Sequence, residues 1–395
     1  MIRTKVLAQR FAAQAAAGLG TIAIAVGVTA LGAAGASAAQ AAPAALSSPA
    51  PITLNTANWS GSAGFGASSP AWFKDGFGVV HLEGAAKQIS TAAAGANTIG
   101  TLPRAARPSR NVYVIVHTFN GTYADLEVAR NGNINVIDPR EPAVTDLSFV
   151  SLESVTYRKS GPGATGITLN GNNWSGSAGF GAAGPAAVET GSVVHLQGAV
   201  KQTSNTGSLQ NQIGTLPRAD WPARDVFTIV HTFNGTYADL EIDTSGTLNL
   251  IDPYGFAVKD YSFVSLEGVS YTPTALFNSL APPWPGFNSA NWSANAGFGS
   301  SEPGWNEDDA GVVHLQGAVM QTSLSGDTHL ILTLPQVIWP SRNVFTIVHT
   351  FDGTYADLSI GTNGQVRLID PRAPMGGGDT FDYTFVSLEG VTYHP

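Results

Sequence analysis

Along most of the chain, short runs in which apolar and polar residues alternate are separated by glycine, proline or asparagine. Alternation has the period of a β-strand, whose successive side chains point to opposite faces, and no stretch carries the 3.6-residue period of an amphipathic helix. The strongest such pattern covers residues 226–242, VFTIVHTFNGTYADLEI, and recurs at 112–128 and 344–360. Its two β-branched and aromatic runs flank Asn234-Gly235, with Asn120-Gly121 and Asp352-Gly353 in the other copies. Asn-Gly and Asp-Gly tolerate the positive φ angles of a type I′ turn, which predicts a hairpin closed by two residues. In the first arm, Phe227, Ile229, His231 and Phe233 share one face and Thr228, Val230 and Thr232 the other. The larger apolar set is expected to face the sandwich core.

The repeats occupy residues 52–158, 167–272 and 287–395. Each carries Asn-Trp-Ser near its start, two histidines, a Leu-Pro segment, an Ile-Asp-Pro segment and a closing Phe-Val-Ser-Leu-Glu strand. Roughly seven strands per repeat, with no helix, predict an all-β fold of three tandem, jelly-roll-like β-sandwich domains. The period is too long for a solenoid or one propeller blade, so each repeat reads as a domain. One linker is Gly/Ser-rich and the other Pro-rich, and both are short. Three linked copies can close into a pseudo-threefold trimer or remain beads on a string, and short linkers favour closure.

Residues 1–38 have a basic start (Arg3, Lys5, Arg10), an apolar run and the small-residue exit Ala36-Ser37-Ala38, the layout of a secretory signal peptide. An anchor is the other reading; the Gly-rich run and small-residue exit speak against it. Residues 39–51 form an Ala/Pro-rich tail. No later segment approaches the ~20 apolar residues of a membrane span, and the chain ends just after its last strand. The expectation is therefore a secreted, extracellular protein with no membrane insertion after cleavage. Abundant Ala and Gly, with Arg above Lys, suggest a bacterial source of high GC content. There is no cysteine, which excludes disulfides and thiol chemistry. Net charge is −9, about −12 without the three basic leader residues. That balance argues against nucleic acid as a partner.

Trp59, Trp174 and Trp292 are candidates for sugar-stacking platforms, or else plugs over a sandwich end. Tyr123 and Asp125, Tyr237 and Asp239, and Tyr355 and Asp357 share a face of the return strand. They are the other ligand-binding candidates, unless the aspartates pair with Arg110, Arg224 and Arg342. The six recurring histidines (His81, His117, His195, His231, His314, His349) read as core or interface residues. A set of three meeting on the threefold axis could hold a divalent metal, but one histidine per domain does not make a site, so no metal or other cofactor is expected. No acidic cluster has calcium-loop spacing. A glycosidase needs two facing carboxylates. Among the recurring acids, Asp138 precedes proline at a strand end and Glu153 reads as a surface residue. Glu83 becomes Gln197 and Gln316, so it cannot be a shared acid. No nucleophile elbow, zinc-protease or phosphate-loop motif is present. The expectation is that the chain is not an enzyme.

The run from Gly100 to Val112, GTLPRAARPSRNV, repeats from Gly214 and, without its leading glycine, from Leu332. It resembles the TLP-containing segment of carboxy-terminal β modules in phage tail fibres and receptor-binding proteins. The flanking Val-Val-His-Leu-Gln/Glu-Gly and Val-Ser-Leu-Glu-Gly/Ser-Val strands are similar as well. The resemblance covers all three repeats and implies β-sandwiches that assemble as homotrimers and bind cell-surface saccharides. The leader and the triplication within one chain depart from it. Together these readings point to a secreted, multivalent, lectin-like protein for cell-surface or cell-wall glycans. A structural hub for protein partners is the alternative. Triplication suits weak binding, because avidity multiplies it. Residues 73–77, 91–96 and 375–378 differ between copies.

Overall fold

The computed structural model describes residues 48–119, 122–137, 147–159, 163–207, 209–233, 236–251, 261–274, 277–351, 354–369 and 383–395. The leader (1–38), most of the tail, the Asn-Gly and Asp-Gly pairs, Asp138, Asp252, Asp370 and residues 375–378 lie outside them.

The first module contains β1 (Ala50–Pro51), β2 (Thr53–Leu54), β3 (Trp59–Ser60), β4 (Ala71–Lys74), β5 (Val79–Glu83), β6 (Ala85–Gln88), β7 (Thr98–Thr101), β8 (Val112–Thr118), β9 (Thr122–Val128), β10 (Asn133–Ile137), β11 (Val150–Ser151) and β12 (Thr156–Arg158). One sheet runs β1-β4-β5-β12 and the other β2-β7-β10-β9-β8-β11-β6-β3. The second module repeats both orders, and the third lacks only the strand equivalent to β2. There are more strands than the seven expected, because two-residue edge strands in Gly-rich stretches are too short for alternation to reveal. Among the described residues there is no α-helix, only the 3-10 turns Arg218–Asp220 and Gln336–Ile338. The fold is all-β, in three sandwich modules.

The hairpin arms pair antiparallel, from Val112↔Val128 to Thr118↔Thr122, with the same register in the other copies. That register leaves three residues between the last pair, one more than a two-residue type I′ connection has. The hairpin stands; its connection is longer than expected.

The phase of the arms is the opposite of the expectation. Val226 and Val230, with Ala238, Leu240 and Ile242 from the return strand, fill the module core. Phe227 and His231 point away from it and are nevertheless buried. The reason is a second apolar surface. Phe227 packs with Ala296, Ala318 and Phe385 of the third module. Tyr113 of the first packs with Ala178, Ala199 and Phe263 of the second, and Phe345 of the third with Ala63, Ala85 and Phe149 of the first. Each module thus inserts one aromatic ring into the next around a closed cycle. The three strands Val112–Thr118, Val226–Thr232 and Val344–Thr350 each adjoin the other two. The sandwich cores take the branched aliphatics, and the joints take the aromatics.

Because each joint combines an inserted aromatic ring with apolar neighbours from the next module, the modules are expected to stay together when the chain is cut. A protease site placed at residues 160–162 and cleaved should leave a single size-exclusion peak at the uncut mass. Separation of a one-module fragment would show that the linker, and not the joint, holds the ring.

Candidate functional site

An arginine at the entry to each central strand crosses to the next module. Arg110 Nε and Nη2 donate to Glu267 at 2.6 and 3.1 Å. Arg224 donates to Glu389 at 2.8 and 3.3 Å, and Arg342 to Glu153 at 2.8 and 3.3 Å. All six side chains are buried. Such forked, charge-assisted pairs are short and directional. A backbone N–H also holds each carboxylate: Gly84 donates to Glu153 at 2.7 Å, Gly198 to Glu267 at 2.7 Å and Gly317 to Glu389 at 2.8 Å. Gly198 has φ +82°, and a Cβ there would lie 2.2 Å from the Gly184 carbonyl oxygen, so a side chain is excluded. Burial pushes the Glu267 carboxyl up, against Arg110 and the Gly198 N–H, which pull it down. Burial opposes the charge of Arg342, yet Glu153 and Glu83 raise it above the ordinary arginine value. Glu153 is therefore a buried joint residue and not the surface residue its alternation suggested.

Nearer the axis, the pairing register sets His231 opposite Tyr237 and Ile229 opposite Asp239, on the joint side. Nδ1 of His117 lies 2.6 Å from Oδ1 of Asp357, and Nδ1 of His349 lies 2.7 Å from Oδ1 of Asp239. The third pair is looser, with His231 Nε2 at 3.6 Å from Asp125 Oδ2. The rings of Tyr123, Tyr237 and Tyr355 meet edge to face, with centroids 5.2–5.3 Å apart and planes at 84–85°. Mutual contact of all three marks the pseudo-threefold axis. Tyr and Asp do share a face, as expected. That face closes the ring, however, and the three aspartates are fully buried, so none is open to ligand. Nor do they pair with Arg110, Arg224 and Arg342, which take glutamates. Burial raises Asp239 and Asp357 above the usual carboxylate range, with His349 and His117 opposing.

Trp59, Trp174 and Trp292 are at most 2% exposed. The indole N–H of Trp59 donates to the Ala96 carbonyl at 2.7 Å and that of Trp174 to Gln210 at 3.0 Å. These rings plug the sandwiches and are not platforms, because each fills its own module's core. Among the described residues no three His, Asp or Glu side chains are placed to hold a metal ion.

The residues missed from sequence are Phe65, Phe180 and Phe298, which are 56, 55 and 37% exposed. Each sits in Gly-Phe-Gly with all three φ angles positive, and non-glycine residues rarely adopt that conformation. The neighbouring module fixes the loop: Asn343 Nδ2 donates to the Phe65 carbonyl at 2.8 Å and Asn111 Nδ2 to that of Phe180 at 3.0 Å. Each ring lies 5.6 Å from another phenylalanine at the end of its module's central strand: Phe119, Phe233 or Phe351. The available signal was an apolar residue held between two glycines three times over, a pattern that suits neither strand nor core.

The joint between the first and second modules departs from the other two. Tyr113 replaces the phenylalanine found at 227 and 345, and its hydroxyl bonds with Glu127 at 3.0 Å and donates to the Phe180 carbonyl at 2.9 Å. His231 is tilted 33° to that ring, where His117 and His349 lie at 16° and 18° to theirs. Burial holds the Asp125 carboxyl well above its ordinary value and pushes His231 down to about 3, so the imidazole is neutral at neutral pH.

Removing Glu389 leaves Arg224 buried and unpaired, so Glu389→Ala is expected to cost about 3–5 kcal/mol in denaturant unfolding. Replacing both Arg224 and Glu389 with methionine should recover most of that loss. Unfolded His231 takes up a proton below pH 6.5, but the buried ring does so only near 3. The folded state therefore binds fewer protons across that window, and stability rises with pH through it. The stability difference between wild type and His231→Gln should shrink as pH falls from 6.5 towards 3; a difference constant with pH would contradict a neutral buried ring.

No family model matches the chain, and no curated protein or solved structure matches it.

Proposed function

We propose that the chain is a non-enzymatic hub, a single-chain pseudo-trimer that is exported and displays three copies of one rim surface to protein partners. The observation that carries this reading is the use to which the triplicated landmarks are put. Arg110, Arg224 and Arg342, their glutamates, the axial tyrosines and the inserted aromatic rings all join one module to the next. Asp125 and Glu153, two of the recurring acids that a hydrolase would need, are buried in the same joints. Recurrence of these residues is accounted for by assembly, and a catalytic role is not needed to explain it.

One observation favours a second reading as a lectin. Phe65, Phe180 and Phe298 are half-exposed rings in a costly backbone conformation, held by the neighbouring module. An exposed ring offers a face for the C–H side of a sugar, and three on one rigid body would give avidity. The lectin site thus moves from Trp59, Trp174, Trp292 and the Tyr/Asp pairs to the rim.

The test is a pull-down of residues 39–395 on cell walls and a polysaccharide panel, beside mass spectrometry of what co-purifies from culture supernatant. The hub predicts a stoichiometric protein partner and no saturable glycan binding. Glycan binding abolished by the combined Phe65→Ala, Phe180→Ala and Phe298→Ala changes would replace the hub with the lectin. Finding the chain only inside cells, with residues 1–38 intact, would overturn export.

A further inference from the structure

The three joints are built alike, but one is open. Beside Arg342 the carboxylate of Glu83 accepts from Nη2 at 2.8 Å, and beside Arg224 the amide oxygen of Gln316 accepts from Nη2 at 2.7 Å. Both side chains are buried and close their joints. In the joint between the first and second modules the corresponding Gln197 is only partly buried, and its amide bonds to nothing among the described residues. There a cleft of about 430 Å³ opens, lined by Ser109, Arg110, Arg130, Ala182, Ala183 and Gln197. Its volume falls within the ~300–1,000 Å³ of small-ligand sites.

The lining departs from the other joints in charge as well as in shape. Arg130 stands where the other modules have Thr244 and Thr362. It is exposed, and no carboxylate lies within ion-pairing distance of it among the described residues. Arg110 is already held by both oxygens of Glu267, so Arg130 is the unmatched charge. The cleft is therefore cationic in a protein whose net charge is −9. A guanidinium presents a planar fork that matches a carboxylate. Gln197 adds an amide donor and acceptor, and Ser109 a hydroxyl. Ala182 and Ala183 form a wall low enough for a ring to lie against. Their counterparts in the other joints are Ala67-Ser68 and Ser300-Ser301.

We propose that this cleft binds one small hydroxylated carboxylate per chain, of the sugar-acid class, with Arg130 taking the carboxylate and Gln197 and Ser109 the hydroxyls. The site lies between modules and, among the described residues, occurs once, so it is independent of whatever the threefold rim carries.

Calorimetric titration of the intact chain with galacturonate, gluconate, galactose and acetate tests this. The expected result is saturable binding of galacturonate at one site per chain, weakened at least about tenfold in Arg130→Thr, with galactose and acetate much weaker. Gluconate separates a ring requirement from an open-chain hydroxy acid; binding of either acid supports the class. Arg130→Thr installs the residue that modules two and three already carry, so its thermal midpoint should match wild type. Thr244→Ala, in the closed joint, should leave binding unchanged. Absence of saturation by either acid up to roughly 10 mM, equal binding of acetate, or full affinity in Arg130→Thr would each overturn the proposal.

Discussion

Burying an arginine against a glutamate across a module boundary is the constraint on which the rest of the structure depends. Both charges leave water when the joint forms, and the cost is recovered only if the carboxylate is fully satisfied. That requirement explains the glycine after each Val-Val-His-Leu strand, whose N–H reaches the carboxylate and whose missing side chain lets a neighbouring carbonyl approach. It also explains the aromatic ring inserted beside each pair, which excludes water from the charges. The ion pair supplies direction and the ring supplies area. Neither surface would be tolerable on an isolated module, because Arg110 or Glu267 without its partner would be an unpaired charge beside an exposed apolar patch.

The same constraint determines how much of the architecture was legible. Strand period, the Asn-Gly and Asp-Gly hairpins and the triplication are local signals, and they led to an all-β chain of three sandwiches. The face of the central strand was misread because the rule used, larger apolar set inward, assumes one buried face. In VFTIVHTF both faces are buried, one by the sandwich and one by the neighbouring module. A residue such as His231 on the more aromatic face was a sign that this face had polar work to do. The Tyr and Asp placement followed from period two and was right, but exposure was inferred from polarity. Asp239 is polar and fully buried because its partner, His349, comes from a different module. Glu153 was misjudged for the same reason. Contacts between residues more than a hundred positions apart leave no trace in a local window.

The rim phenylalanines illustrate the converse. Phe65 drew no notice in its Gly-rich stretch, yet it is exposed and its backbone is held left-handed by Asn343 of another module. Sequence reasoning weighted the large indoles, which proved to be plugs, and passed over the smaller rings between glycines. In a closed ring the residues that look functional are drawn inward to make joints, and what faces outward is set by backbone geometry.

Covalent linkage has a further consequence. In a trimer of identical subunits every substitution is written three times, so a joint cannot change without all three changing together. Here Tyr113 stands alone among phenylalanines and Arg130 alone among threonines, so one joint is altered while the other two keep their closures. Two intact joints hold the ring, which leaves the third free to drift. Triplication thereby converts a symmetric assembly into one that can acquire a single, unique site without losing its shape.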